Sequence, residues 1–118
     1  MKKMAQFKDK LKEPVEQITV EDDVLVVNLS GKLFGTIGQI ENVDLPEEGS
    51  EIEAGDDLII INGTDDDLHL RAPISGTVLE VNDLFQEEIT KFEGDAEHYE
   101  WVVKIEPQDP EDLLKFED

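Results

Sequence analysis

The residues of this chain best placed for chemistry are three consecutive carboxylates, Asp65, Asp66 and Asp67, just beyond an Asn62–Gly63 pair. Carboxylate oxygens suit a hard cation such as calcium or magnesium. A calcium loop, however, alternates its ligands and adds a glycine at the sixth position and a late bidentate glutamate. Here the acids are consecutive, and successive side chains on an extended segment point to opposite sides. Three in a row face one ion only if the backbone is irregular. The run therefore reads first as a solvated turn; Asp65, Asp66 and Asp67 are weak metal candidates and no metal site is assigned.

The other reactive side chains are less organised. His69 and His98 come without the spaced partners of a zinc site or a catalytic triad. His69 lies between Leu68 and Leu70 at a period of two, so its ring should face away from theirs, toward solvent or a cleft mouth. Asp65 with Glu51 or Glu53 resembles an acid/base pair, but 31 acidic residues supply many such pairs by chance. Gly35 and Gly38 lack the further glycines and the lysine of a phosphate loop and read as turn or bulge positions. No catalytic residue is assigned, and the chain is expected not to be an enzyme. With no cysteine it has no disulfide, thiol nucleophile or thiolate metal site, which makes the cytoplasm the default compartment.

Charge narrows the partners. A formal charge of −21, from 31 acidic and 10 basic residues, is repelled by phosphate backbones and anionic membranes. Nucleic acid and membrane are therefore not expected as partners, whereas a protein with a basic face is. Lys2, Lys3, Lys8, Lys10 and Lys12 crowd the first dozen positions. Residues 1–14 read as a basic arm that is frayed or helical in solvent, docks a partner, or folds onto the acidic body. The arm has no apolar centre of the kind a secretory signal or membrane span needs. Residues 15–118 are expected to be one domain burying roughly two thirds of its unfolded surface.

The elements that must position the carboxylates are short strands separated by turns. They are expected near residues 24–29, 38–43, 58–61, 68–71, 77–81 and 101–106. Asn62–Gly63 predicts a type I′ hairpin turn, because both residues tolerate positive φ. The expected core is Ile40, Val43, Leu45, Ile52, Leu58, Ile60, Leu70, Ile74, Val78 and Val81. Ser30 could cap a helical turn over Lys32 to Phe34, and Asp109 before Pro110 predicts a short C-terminal helix carrying Leu113, Leu114 and Phe116. Trp101 most simply closes the core on the last strand, with a binding role as the alternative. The strand groups flanking Asn62, Gly63, Thr64, Asp65, Asp66 and Asp67 repeat each other in outline. The fold class is all-β, a flattened barrel-sandwich of two small sheets with this hairpin at one end.

Four segments carry a resemblance to a known family: VDLPEEG at 43–49, EIEAGDD at 51–57, APISGTVLEVND at 72–83 and EWVVKIEPQDPEDLL at 100–114. Together they resemble the H protein of the glycine cleavage system, in the biotinyl/lipoyl carrier superfamily, without a gap from about Asn28 onward. The resemblance implies the superfamily's hammerhead-like barrel-sandwich hybrid. It also implies a lipoyl-lysine at the hairpin tip, eleven residues before Gly76, and Asp65 stands there. No lysine occurs between Lys32 and Lys91, so no shift of register supplies one. Asn62 replaces the acidic residue usual three places earlier, and Glu13, Pro14, Val15, Glu16, Gln17 and Ile18 lie where the family has its HEW segment.

Covalent lipoate, and with it any cofactor, is therefore not expected. The favoured reading is a non-catalytic protein-binding or regulatory module related to glycine cleavage or lipoate metabolism, with glycine cleavage or lipoate-handling enzymes as partners. One alternative is a carrier modified elsewhere, at Lys32 or Lys91, or holding a cofactor noncovalently. Another is a structural subunit that responds to divalent cations.

Overall fold

A computed structural model of the chain describes residues 15–116. The expected basic arm, 1–14, and residues 117–118 lie outside the described residues. In order, the strands are β1 (Glu16–Glu21), β2 (Val24–Ser30), β3 (Ile40–Asp44), β4 (Glu51–Ile52), β5 (Asp57–Gly63), β6 (Asp67–Arg71), β7 (Gly76–Val81) and β8 (Tyr99–Pro107). Two short helices, α1 (Leu33–Ile37) and α2 (Phe85–Thr90), and a 3-10 helix (Pro110–Phe116) complete the described residues.

The strands form two antiparallel sheets, as the alternating apolar pattern predicts. One has five strands in the order β1-β2-β8-β7-β4, and the other has three in the order β3-β5-β6. The sheets do not join into a closed barrel. Between them lies a core built from Leu25, Val27 and Leu29 of β2, Ile59 and Ile61 of β5, Val78 of β7, and Val102, Val103 and Ile105 of β8. Leu33 and Ile37 of α1, and Phe85 and Ile89 of α2, complete it.

The local structure departs from the sequence expectations in several places. The expected core included Ile60, yet Ile59 and Ile61 are fully buried while Ile60 is half-buried. The cause is an irregularity in the β5–β6 pairing between Asp57 and Ile59, which resets the inward parity and lets Leu58 and Ile59 both turn in. Ile40, Val43, Leu45 and Ile52 pack on the core from its margin, only partly buried. Trp101 is half-buried and belongs to neither set; Lys104 places its ammonium 5.1 Å from the ring centroid. Burial on β8 falls to Val102, Val103 and Ile105 instead.

Three elements lay outside the sequence expectations: β1, α2 and β4, a two-residue strand paired with β7. β1 pairs along its whole length with β2, from Glu16 opposite Leu29 to Glu21 opposite Val24. Helix α2 follows Asn82, which is 6 % exposed. The Asn82 amide donates to the Trp101 carbonyl at 2.8 Å, and its Oδ1 accepts from the Leu84 N–H at 3.1 Å. That side chain ties the start of α2 to β8 and satisfies a donor that the helix leaves free.

α1 begins after Ser30, whose hydroxyl accepts from the Lys32 N–H at 3.2 Å. The helix runs on through Gly35 to Ile37, so Gly35 is a helical position and not a turn. At the other end of the chain the Asp109 carboxylate accepts from the Glu111 N–H at 3.0 Å, starting the expected C-terminal helix, which is 3-10 in form.

Candidate functional site

The hairpin joining β5 to β6 holds the carboxylate run. Asn62 pairs with Asp67, and the reversal takes the four residues Gly63, Thr64, Asp65 and Asp66. Neither Asn62 nor Gly63 has positive φ, so the expected type I′ turn does not form here. That geometry occurs between β1 and β2, where Asp22 and Asp23, at φ 51° and 65°, make the two-residue turn. Nothing in a pair of aspartates marks a primed turn as strongly as Asn-Gly does.

The tip of the β5–β6 hairpin is held instead by the end of α1. The Thr64 N–H donates to the Gln39 carbonyl at 2.9 Å, and the Gln39 N–H donates to the Thr64 hydroxyl at 3.1 Å. The Asp65 N–H donates to the Ile37 carbonyl at 2.8 Å, and the Gly63 N–H donates to the Asp66 carbonyl at 3.0 Å. Such an approach needs glycine on both sides. A Cβ on Gly63 would overlap the Ile37 carbonyl. Gly38, at φ +78°, closes α1 beneath the Thr64 and Asp65 side chains. Gly63 thus serves close backbone approach rather than a left-handed turn.

The carboxylates of Asp65, Asp66 and Asp67 are exposed. Asp66 Oδ1 accepts from the Asp67 N–H at 2.8 Å, an aspartate satisfying its own turn. Among the described residues no three His, Asp or Glu side chains converge so as to hold a metal ion. The tip therefore offers exposed negative charge on a backbone whose register is pinned by three hydrogen bonds to the segment 37–39.

The remaining candidates do not join it. Glu51 and Glu53 line a groove between β4 and β7 with Asp56, Thr77 and Gln108, and Asp65 is not part of that groove. His69 is exposed, as its alternation with Leu68 and Leu70 predicts, with Nδ1 4.0 Å from Asp57 and Arg71 Nε 3.7 Å from the same carboxylate. His98 is half-buried, stacked on Phe92 with centroids 3.5 Å apart, and its Nε2 lies 3.1 Å from Glu100 Oε1. Glu100 is the partner that spacing did not reveal. Across β8, side chains two apart share a face, so the contact fastens the loop after α2 to that strand. Lys32 sits half-buried at the start of α1, and Lys91 is exposed just past α2.

Every buried side-chain nitrogen and oxygen among the described residues has a hydrogen-bond partner. None of the described helices is long and apolar enough to cross a membrane.

Comparison with known proteins places this hairpin in context. The sequence model of the family described as glycine cleavage H-protein matches residues 9–118. A glycine cleavage system H protein from Synechococcus sp. (strain JA-2-3B'a(2-13)) is 36 % identical over 98 residues, covering 83 % of this chain and 76 % of the relative. Glycine cleavage system H protein 4 of Aquifex aeolicus (strain VF5) is 34 % identical over 106 residues, covering 87 % of this chain and 62 % of the relative. In structure, the chain is similar to a glycine cleavage system H protein from Mycobacterium marinum, with a TM-score of 0.61 at 19 % identity over 87 % of this chain and 98 % of that one. The family match spans both sheets and the β5–β6 hairpin, and this chain belongs to the glycine cleavage H-protein family.

Proposed function

We propose that this chain is a cytoplasmic H-protein relative that carries no lipoate on its hairpin tip and works as a non-catalytic, protein-binding module. The observation that carries the reading is the tip itself. Gly63, Thr64, Asp65 and Asp66 contain no amine, and the Asp65 N–H bond to Ile37 keeps that residue at the apex. Attachment of lipoate requires a side-chain amine to form the amide, and a carboxylate has none. The group therefore does not fit this tip, and no step is routed through it.

What the tip and its surroundings offer is charge. Asp65, Asp66 and Asp67 project into solvent on a chain of net charge −21, which favours association with a basic protein face and opposes nucleic acid or anionic membrane. Membership of the family supports a protein partner, and glycine cleavage or lipoate-handling enzymes are the partners this reading proposes. The absence of cysteine suits a reducing compartment.

The test is the intact mass of the protein purified from its native host, with peptide mapping of any increment. A mass equal to the bare sequence is expected, and it directs the work to partner capture. A lipoyl or other acyl increment on Lys32, Lys91 or another residue overturns the reading and makes the chain a carrier with a relocated arm.

A further inference from the structure

The five-stranded sheet ends on one side at β1, and the outer edge of that strand is open. The Val15 carbonyl accepts from the Ser30 N–H at 2.8 Å, and the pairing continues from Glu16 opposite Leu29 to Glu21 opposite Val24. Hydrogen-bonded and non-bonded pairs alternate along an antiparallel ladder. Residues 17, 19 and 21 therefore bond to β2, while the N–H and C=O groups of Glu16, Ile18 and Val20 face away from it. Among the described residues no strand lies beyond β1 and no hydrogen bond takes those groups.

The other sheet edges are blunted in ways that β1 is not. β4 has two residues, β3 carries a pairing irregularity between Ile40 and Asn42, and β6 presents Asp67, His69 and Arg71 along one exposed face. β1 has six residues, an unbroken register with β2, no lysine and no proline, and its charges, Glu16 and Glu21, stand at its two ends. Ile18 and Val20 are half-buried at the margin of the core. A strand that set apolar side chains beside them would extend that core outward.

We infer that this edge receives an extended segment of a basic partner protein, added antiparallel to β1 as a further strand of the sheet. The inference rests on the reading of the chain as a protein-binding module and names where and how the partner binds. Charge selects the occupant. Glu16 and Glu21 bracket the edge on a chain of net charge −21, so a strand of alternating apolar residues that ends in lysine or arginine meets opposite charge at both ends. A second copy of this chain brings its own −21 to the same edge and is repelled.

The test is an NMR titration of the isotope-labelled full-length chain with the end-blocked peptide Lys-Val-Thr-Val-Thr-Lys. In antiparallel register its lysines fall opposite Glu21 and Glu16, and its valines opposite Val20 and Ile18. In the free chain the Ile18 and Val20 amides are expected to exchange with solvent much faster than that of Thr19, which bonds to β2. The peptide should slow both and shift their resonances. N-methylation of its two valines, whose N–H groups face β1, should weaken binding about tenfold, whereas N-methylation of its two threonines should change it by no more than about twofold. The same peptide ending in glutamates should not bind. Ile18 and Val20 amides already as protected as Thr19 in the free monomer overturn the inference, as does a dimer that protects them. So do no change at these amides on adding peptide, shifts confined to the hairpin tip, or indifference to which residues are methylated. The two failures are separate: a lipoyl increment in the intact mass strikes the module reading, whereas a silent edge beside a bare mass strikes this inference alone.

Discussion

At the scale of single residues, the hairpin tip separates fold from chemistry. Asp65 is exposed, and only its backbone takes part in the contact with Ile37. Asp65→Lys is therefore expected to fold as the parent does. Its modification by a lipoate ligase in vitro should nevertheless be poor, because Asn62 and Gly63 still differ from the family's usual approach to the lysine. Rapid, complete lipoylation of that variant would show that the acceptor alone is decisive. Glu16 provides a second residue-scale test. Burial pushes its carboxyl above the ordinary carboxylate range. The folded state thus holds this proton to higher pH than the unfolded state does, so the contribution to stability falls as pH rises through the raised value. Glu16→Gln should melt above the parent at neutral pH, and the gap should close as the pH drops below the ordinary carboxylate range. A gap independent of pH would assign the effect to packing.

At the scale of elements, turn chemistry and the strands it joins are mismatched in an instructive way. The Asn-Gly pair, which predicts a primed turn, lies at the end of β5, where the chain uses Gly63 to approach α1. The primed geometry falls instead to Asp22 and Asp23, two residues with Cβ atoms in the left-handed region. Left-handed backbone costs an L-residue about 1–2 kcal/mol, less for aspartate and little for glycine. The double substitution Asp22→Asn/Asp23→Gly puts the preferred primed-turn pair in that place and should raise stability by about 1 kcal/mol, read from the urea midpoint at constant m-value. An unchanged midpoint would mean that the aspartates already satisfy the turn through their own side chains. The short helices were legible only in part. Asp109-Pro110 announced the C-terminal helix, whereas α2 rests on Asn82 reaching across to β8, a contact of which one partner is nineteen positions away.

At the scale of the whole molecule, thirty-one carboxylates share one small fold, and self-repulsion opposes its compact state. Salt shortens the reach of that repulsion, from roughly 30 Å at 0.01 M to about 8 Å at 0.15 M. The melting temperature should therefore climb as sodium chloride is raised over this range, and scanning calorimetry reads it directly. A flat response would mean that the acidic groups are already compensated within the fold. What the sequence determined by itself was the all-β class, the strands around the hairpin, the family, and an apex that contains no lysine. Alternation, turn residues and a counted spacing are local properties of the chain, and they survive without coordinates. What only the tertiary structure decided was which face each residue serves. One irregular position in β5 exchanged Ile60 for Ile59 and Ile61 in the core, and the register of β8 put Trp101 outside it. The grip of α1 on the hairpin tip was likewise invisible, because it joins Ile37 and Gln39 to residues some twenty-five positions later. A side chain's face depends on the sum of every bulge and pairing before it, and that sum is settled only when the sheets assemble.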